Sequence, residues 1–163
     1  MKLSEGVEWA LHCCVLLAAL PPGVGLPAKA LAEFHGVSES YLIKQLKALV
    51  KAKVLASAPG PKGGFRLARP AEQITLLDVV RGVEGPQPAF RCTEIRGRGP
   101  ARLGPGAYRL PCMVTVSMLE AEQAWANILR SKTLATLVRE LSQKLDPRAV
   151  EKTMAWLREI VQV

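Results

Sequence analysis

The sequence predicts a mainly helical fold: a winged helix-turn-helix, helices plus a two-stranded wing, joined to a long C-terminal dimerisation helix. Three observations carry that prediction. Three helical segments punctuated by Pro and Gly come first, a glycine-centred hairpin follows, and an apolar seam with heptad-like spacing begins at Val114.

Leu3 to about Leu20 reads as an amphipathic helix stopped by Pro21-Pro22-Gly23. Pro27 suits the first turn of a second helix, Ala28 to Phe34, which Gly36 closes. Ser38 is an N-cap for a third helix running to about Lys53. Val54 to Ala58 and Phe65 to Ala68 read as strands, with Gly60 to Gly64 as their turn. Ile74 to Val83 is a short helix. Gly85 to Pro111 is rich in Pro, Gly and Arg and lacks periodicity, the mark of a long functional or disordered loop. Val114, Met118, Ala121, Trp125 and Ile128 then recur at steps of four and three, a seam fit for a dimer interface. Leu134 to Leu145 and a helix from Pro147, capped by Asp146, follow; Val150, Met154, Leu157 and Val161 are expected to be the last helix's buried face. The expected organisation is a winged helix-turn-helix at 1–85, a loop at 86–111, and dimerisation and C-terminal helices at 112–163.

Charge points to the partner. The chain carries 22 Lys and Arg against 14 Asp and Glu, a net charge of +8. Such an excess favours polyanions, nucleic acid before membrane. Eight of the cations lie between Pro27 and Arg69, opposed only by Glu33 and Glu39. A second excess, Arg91, Arg96, Arg98, Arg102 and Arg109, sits in the loop. The apolar run from Trp9 to Leu20 is interrupted by His12 and preceded by Glu5 and Glu8, so it reads neither as a signal peptide nor as a membrane span. A cytoplasmic protein without a membrane partner is expected, with its four cysteines reduced.

The third helix is apolar behind, at Leu42, Leu46, Leu49 and Val50, and cationic in front, at Ser40, Lys44, Lys47 and Lys51. That pattern suits a helix entering the major groove of double-stranded DNA. Ser38, Ser40, Tyr41, Lys44, Gln45 and Lys47 are the expected contacts. On the wing, Lys62 and Arg66 supply charge, while Gly63 and Gly64 let backbone approach a phosphate. Glu8 and His12, four residues apart, share a helix face and can reach one metal. Cys13 and Cys14 read as small core residues. Cys92 and Cys112 stay open between ligands, ordinary thiols and a stress disulfide.

Ser-Glu-Ser-Tyr-Leu-Ile-Lys-Gln-Leu (38–46), Gly-Pro-Lys-Gly-Gly-Phe-Arg-Leu-Ala (60–68) and Ile-Thr-Leu-Leu-Asp-Val-Val (74–80) resemble the iron–sulfur winged-helix repressors of the IscR, NsrR and RsrR type. The resemblance covers nearly the whole chain. It implies a homodimer on a palindromic operator, with a cluster held by the loop near the dimerisation helix. Many relatives carry three loop cysteines; here only Cys92 and Cys112 are present. The sequence is most similar to the RsrR branch, whose [2Fe–2S] cluster takes two loop cysteines from one subunit and a Glu and a His from its partner's first helix. Glu8, His12, Cys92 and Cys112 occupy the matching places. Trp9, beside Glu8, is then a candidate redox switch. The alternative is a regulator without a cluster, sensing through thiols, zinc or a small ligand. A zinc hydrolase is disfavoured, since no HExxH string, phosphate loop or nucleophile–base pair is present. A pure protein-docking module is a third reading, marked by complexes insensitive to salt.

Overall fold

The computed structural model describes residues 3–60, 63–104 and 106–161. The helices α1 (Glu5–Ala18), α2 (Ala28–His35) and α3 (Glu39–Lys51) come first. The hairpin β1 (Leu55–Ala58) and β2 (Gly64–Leu67) follows, then α4 (Leu76–Glu84), a long loop, α5 (Met113–Arg130), α6 (Leu134–Lys144) and α7 (Pro147–Val161). This is the mainly helical winged helix-turn-helix architecture that the residue pattern predicts, with element ends shifted by no more than about two residues. Two single turns of tighter helix, Ala71–Gln73 and Ile95–Gly97, have no counterpart in that pattern.

The core forms around α1. Ala10, Cys13, Cys14 and Leu17 pack with Leu42, Leu46 and Leu49 of α3, and with Leu31, Ile74, Val79 and Leu134. Burying a leucine fully contributes roughly 2 kcal/mol, so the three leucines of α3 alone fix that helix firmly. Gly36 ends α2 with a left-handed φ of 64°, and the Val37 N–H closes back on the Ala32 carbonyl at 3.0 Å. That reversal swings the chain from α2 into α3. Lys53 plays the same part after α3 at φ 58°, with Val54 N–H donating to Leu49 O.

The strands pair antiparallel, Leu55 with Leu67 and Ala58 with Gly64. Leu26 bonds Phe65 in both directions, at 2.9 and 2.8 Å, adding a third short edge to the wing. Gly64 adopts φ 129°, and a Cβ there would meet the Leu26 carbonyl at 2.4 Å. Thr75 and Asp78 form a reciprocal capping box at the start of α4. Leu76 N–H donates to Lys132 O and Leu134 N–H to Ile74 O, so the starts of α4 and α6 are stitched together.

The last helix departs from expectation. Met154 is exposed, Leu157 is buried, and Trp156 instead packs on Phe34 at 4.8 Å. Met154 still lies on the expected side, since with Val150 and Leu157 it lines an open hollow against α1, α2 and α6. On α5, Val114 (63% exposed), Met118 and Ile128 lie open, with Met113 and Leu119 beside them. Among the described residues no helix is long and apolar enough to cross a membrane.

Thr75→Ala removes one arm of the capping box and is expected to lower unfolding stability by about 1 kcal/mol in a urea titration. Gly64→Ala, forced into a positive φ against a carbonyl, is expected to cost about 1–3 kcal/mol in the same assay.

Candidate functional site

The prospective DNA face lies on α3 and the wing. Ser40, Lys44, Lys47 and Lys51 are exposed on one side of the helix, and Ser38 and Ser40 share a hydroxyl hydrogen bond at 3.0 Å. Tyr41 is half open and meets the Trp9 ring edge-on, with centroids 5.1 Å apart. Gln45 does not belong to this face. It is 7% exposed and turned toward α1, where a Cβ on Gly6 would sit 2.7 Å from its side-chain amide. Its spacing of three from Leu42 and four from Leu49 carries it to the apolar side, a signal present in the sequence. On the wing, Arg66 is exposed. Gly63 and Gly64 are demanded by the wing's own backbone, since a Cβ at Gly63 would collide with the Ala58 carbonyl. Lys62 lies outside the described residues.

Glu8 and His12 are both exposed, one turn apart on the outer side of α1, and line a common cavity with Leu3 and Leu11. His12 also faces His35 of α2, with ring centroids 5.8 Å apart. Burial, then His12, holds the His35 imidazole below its ordinary pKa. The sequence signals His35 only as the second of two histidines.

The loop is organised by Arg96, one of its predicted cations, and by Tyr108, which no sequence pattern marks. The Arg96 guanidinium forks onto Glu94 at 2.6 and 2.8 Å, donates to the Leu110 carbonyl at 3.2 Å, and lies over the Tyr108 ring. The Tyr108 hydroxyl donates to the Arg96 carbonyl and accepts the Leu103 N–H. This clasp places Arg96 within electrostatic reach of both Cys92 and Cys112. The Cys92 sulfur accepts the Glu94 N–H at 3.4 Å. Cys112 immediately precedes α5; the Thr115 N–H first, then Val114 N–H and Arg96, lower its thiol pKa. Burial has the opposite effect on α1, pushing Cys13 up to about 12 and Cys14 further.

Within one chain, the described residues bring no three His, Cys, Asp or Glu side chains together as a metal site. The four predicted ligands therefore stand as two pairs on separate elements. Their donor chemistry suits an iron–sulfur group. Two thiols, one held toward thiolate, lie beside a cation that offsets their charge, and an accessible carboxylate–imidazole pair offers the remaining donors.

Residues 3–140 match the family model "Rrf2: Iron-dependent Transcriptional regulator". The chain belongs to the Rrf2 family. Rrf2 proteins are DNA-binding transcriptional regulators, not enzymes, and are typically dimeric. The chain is 34% identical over 158 residues to the HTH-type transcriptional regulator YwgB of Bacillus subtilis (strain 168), covering 96% of this chain and 95% of that one. In fold it is similar to the global cysteine regulator CymR of B. subtilis, with a TM-score of 0.67 at 23% identity over 86% of this chain and 98% of that one. It also resembles IscR of T. potens, with a TM-score of 0.66 at 24% identity over 90% and 93%.

In metal-free native protein near neutral pH, iodoacetamide is expected to label Cys112 and spare Cys13 and Cys14. Arg96→Ala, which removes the cation beside Cys112, is expected to slow its labelling, as peptide mass spectrometry over time would show. Equal labelling of all four cysteines would contradict this ordering.

Proposed function

We propose that this Rrf2 regulator is a cytoplasmic homodimeric repressor of the RsrR type. Its affinity for a palindromic operator is set by a redox-active [2Fe–2S] cluster. Glu8 and His12 of one subunit and Cys92 and Cys112 of the other would hold it. In this reading residues 1–85 bind DNA, 86–111 form the cluster loop and 112–163 dimerise. The observation that carries the proposal is the position of Trp9. It follows Glu8 on α1 and meets Tyr41 of α3 edge-on, so the ligand-bearing helix and the DNA-reading helix share a contact.

When bound, the cluster supplies one-electron redox chemistry, and replacing two thiolates by His and Glu raises its potential. The chain's own residues do the rest. Trp9 carries a displacement of α1 to Tyr41, at the N-terminal end of the helix that reads the groove. Ser38, Ser40, Tyr41, Lys44, Lys47, Lys62 and Arg66, with the backbone at Gly63 and Gly64, contact the duplex. The open apolar stripe on α5 from Met113 to Ile128 is the surface for the second subunit. The acidified Cys112 thiol supports a second reading, a thiol sensor without a cluster; zinc on the same four ligands is chemically acceptable.

Anaerobic purification, with visible absorbance and iron, sulfide and zinc assays, separates these readings. Cluster absorbance is expected in the wild type and absent in Cys92→Ala and Cys112→Ala. Mixed dimers of a Glu8→Ala/His12→Ala chain with a Cys92→Ala/Cys112→Ala chain regain one site of two only if the ligands come from both subunits. Colourless protein with stoichiometric zinc would refute the cluster. Trp9→Ala is expected to keep the absorbance while narrowing the difference in operator affinity between oxidised and reduced protein.

Salt titration tests the DNA face. Each of Lys44→Ala, Lys47→Ala and Arg66→Ala is expected to flatten the slope of log affinity against log salt by about 0.9. A wild-type affinity insensitive to salt would reject it.

A further inference from the structure

The two C-terminal helices leave a gap against the DNA-binding half of the molecule. A cavity of about 390 Å³ lies between α1, α2, α6 and α7. Its wall is predominantly apolar, built from residues such as Leu16, Phe34, Val138, Leu141 and Leu157, and includes no lysine or arginine. Its polar lining consists of His12, His35, Ser142 and Thr153. The His35 Nε2 is fully covered yet has no hydrogen-bond partner. Buried polar atoms are nearly always satisfied, so His35, a residue of the cavity wall, holds an unused hydrogen-bonding nitrogen that a turn of its ring would present to a guest. His12 and His35 also line a smaller cavity with Glu8, Trp9 and Val37, and therefore form the boundary between the two.

We propose that the larger cavity binds a small, uncharged amphipathic effector, its apolar body among α1, α6 and α7 and its hydrogen-bonding head on His35. The volume falls within the range of small-molecule sites, which are mostly apolar with few placed polar groups. An anionic head finds no cation there and loses its hydration, whereas a hydroxyl or amide can donate to or accept from an imidazole nitrogen. Occupancy presses on the two histidines that border Trp9, and so on the Trp9–Tyr41 contact. The inference rests on the DNA-regulator reading only for its output. His12, a proposed cluster ligand, lines the cavity but neither Cys92 nor Cys112 does, so a variant lacking both cysteines separates the two readings.

The test uses full-length protein, as wild type and as Cys92→Ala/Cys112→Ala, titrated with the uncharged fluorescent amphipath N-phenyl-1-naphthylamine. Saturable binding at one site per chain is expected in both, with displacement by decanol and far weaker displacement by decanoate. Ala149→Leu on the exposed rim and Val138→Phe within should fill the space and raise the probe's Kd about tenfold or more. Circular dichroism checks that each variant folds; Ala149→Leu decides alone if Val138→Phe does not. His35→Phe should weaken decanol more than decane, which has no head. Probe binding that ignores the filling variants, fails to saturate, or is lost with the cysteines overturns the proposal. So does decanoate matching decanol. Filling variants that convert dimer to monomer would instead assign the cavity to a second copy of the chain.

Discussion

The packing of α1 against α3 is the constraint on which the other features depend. Gly6 approaches the Gln45 amide so closely that only hydrogen fits between them, and Trp9 meets Tyr41 three residues further along α1. Ala10, Cys13, Cys14 and Leu17 then continue into the leucine face of α3. Interiors packed this tightly pass a displacement on rather than absorb it. The same α1 carries Glu8 and His12 on its outer side. One rigid element thus has a face packed on α3 and a face of exposed donor groups, without a flexible joint between them.

The fold was largely legible because its signals are local. Gly36 and Ser38 punctuate the helix-turn-helix, the glycines mark the wing, and apolar periodicity finds α3 and α5. Gln45 belongs to the buried side of α3 by its spacing, although its residue type suggests a DNA contact. Met154 fails for a different reason. It lies on the expected side of α7 but borders an open hollow against α1, α2 and α6, a tertiary matter that periodicity along one helix does not encode. The candidate site was legible only as two halves. Spacing joins Glu8 to His12, but nothing along the chain reports how Arg96 draws near both Cys92 and Cys112, or that His35 faces His12. Those relations arise from loop closure and from the packing of α2 on α1.

The solved relatives share this scaffold although their names describe different regulators, a cysteine regulator and IscR. A common fold does not decide what a protein responds to; that is carried by side chains placed on it. In this chain the candidate donor side chains lie on the outer turn of α1, in the loop after α4 and at the start of α5. These side chains are exposed or half-buried and lie outside the leucine core.

The clasp between Arg96 and Tyr108 has an entropic consequence. Fixing a residue's backbone costs about 1–2 kcal/mol, and a loop spanning Gly85 to Pro111 has few buried apolar groups to offset that. Here a tyrosine hydroxyl, a guanidinium fork and a stacked ring do the ordering. The segment reaching Cys112 is therefore shaped before any guest arrives. A group captured by such a preorganised loop keeps more of its intrinsic binding energy, because less is spent on freezing the chain around it.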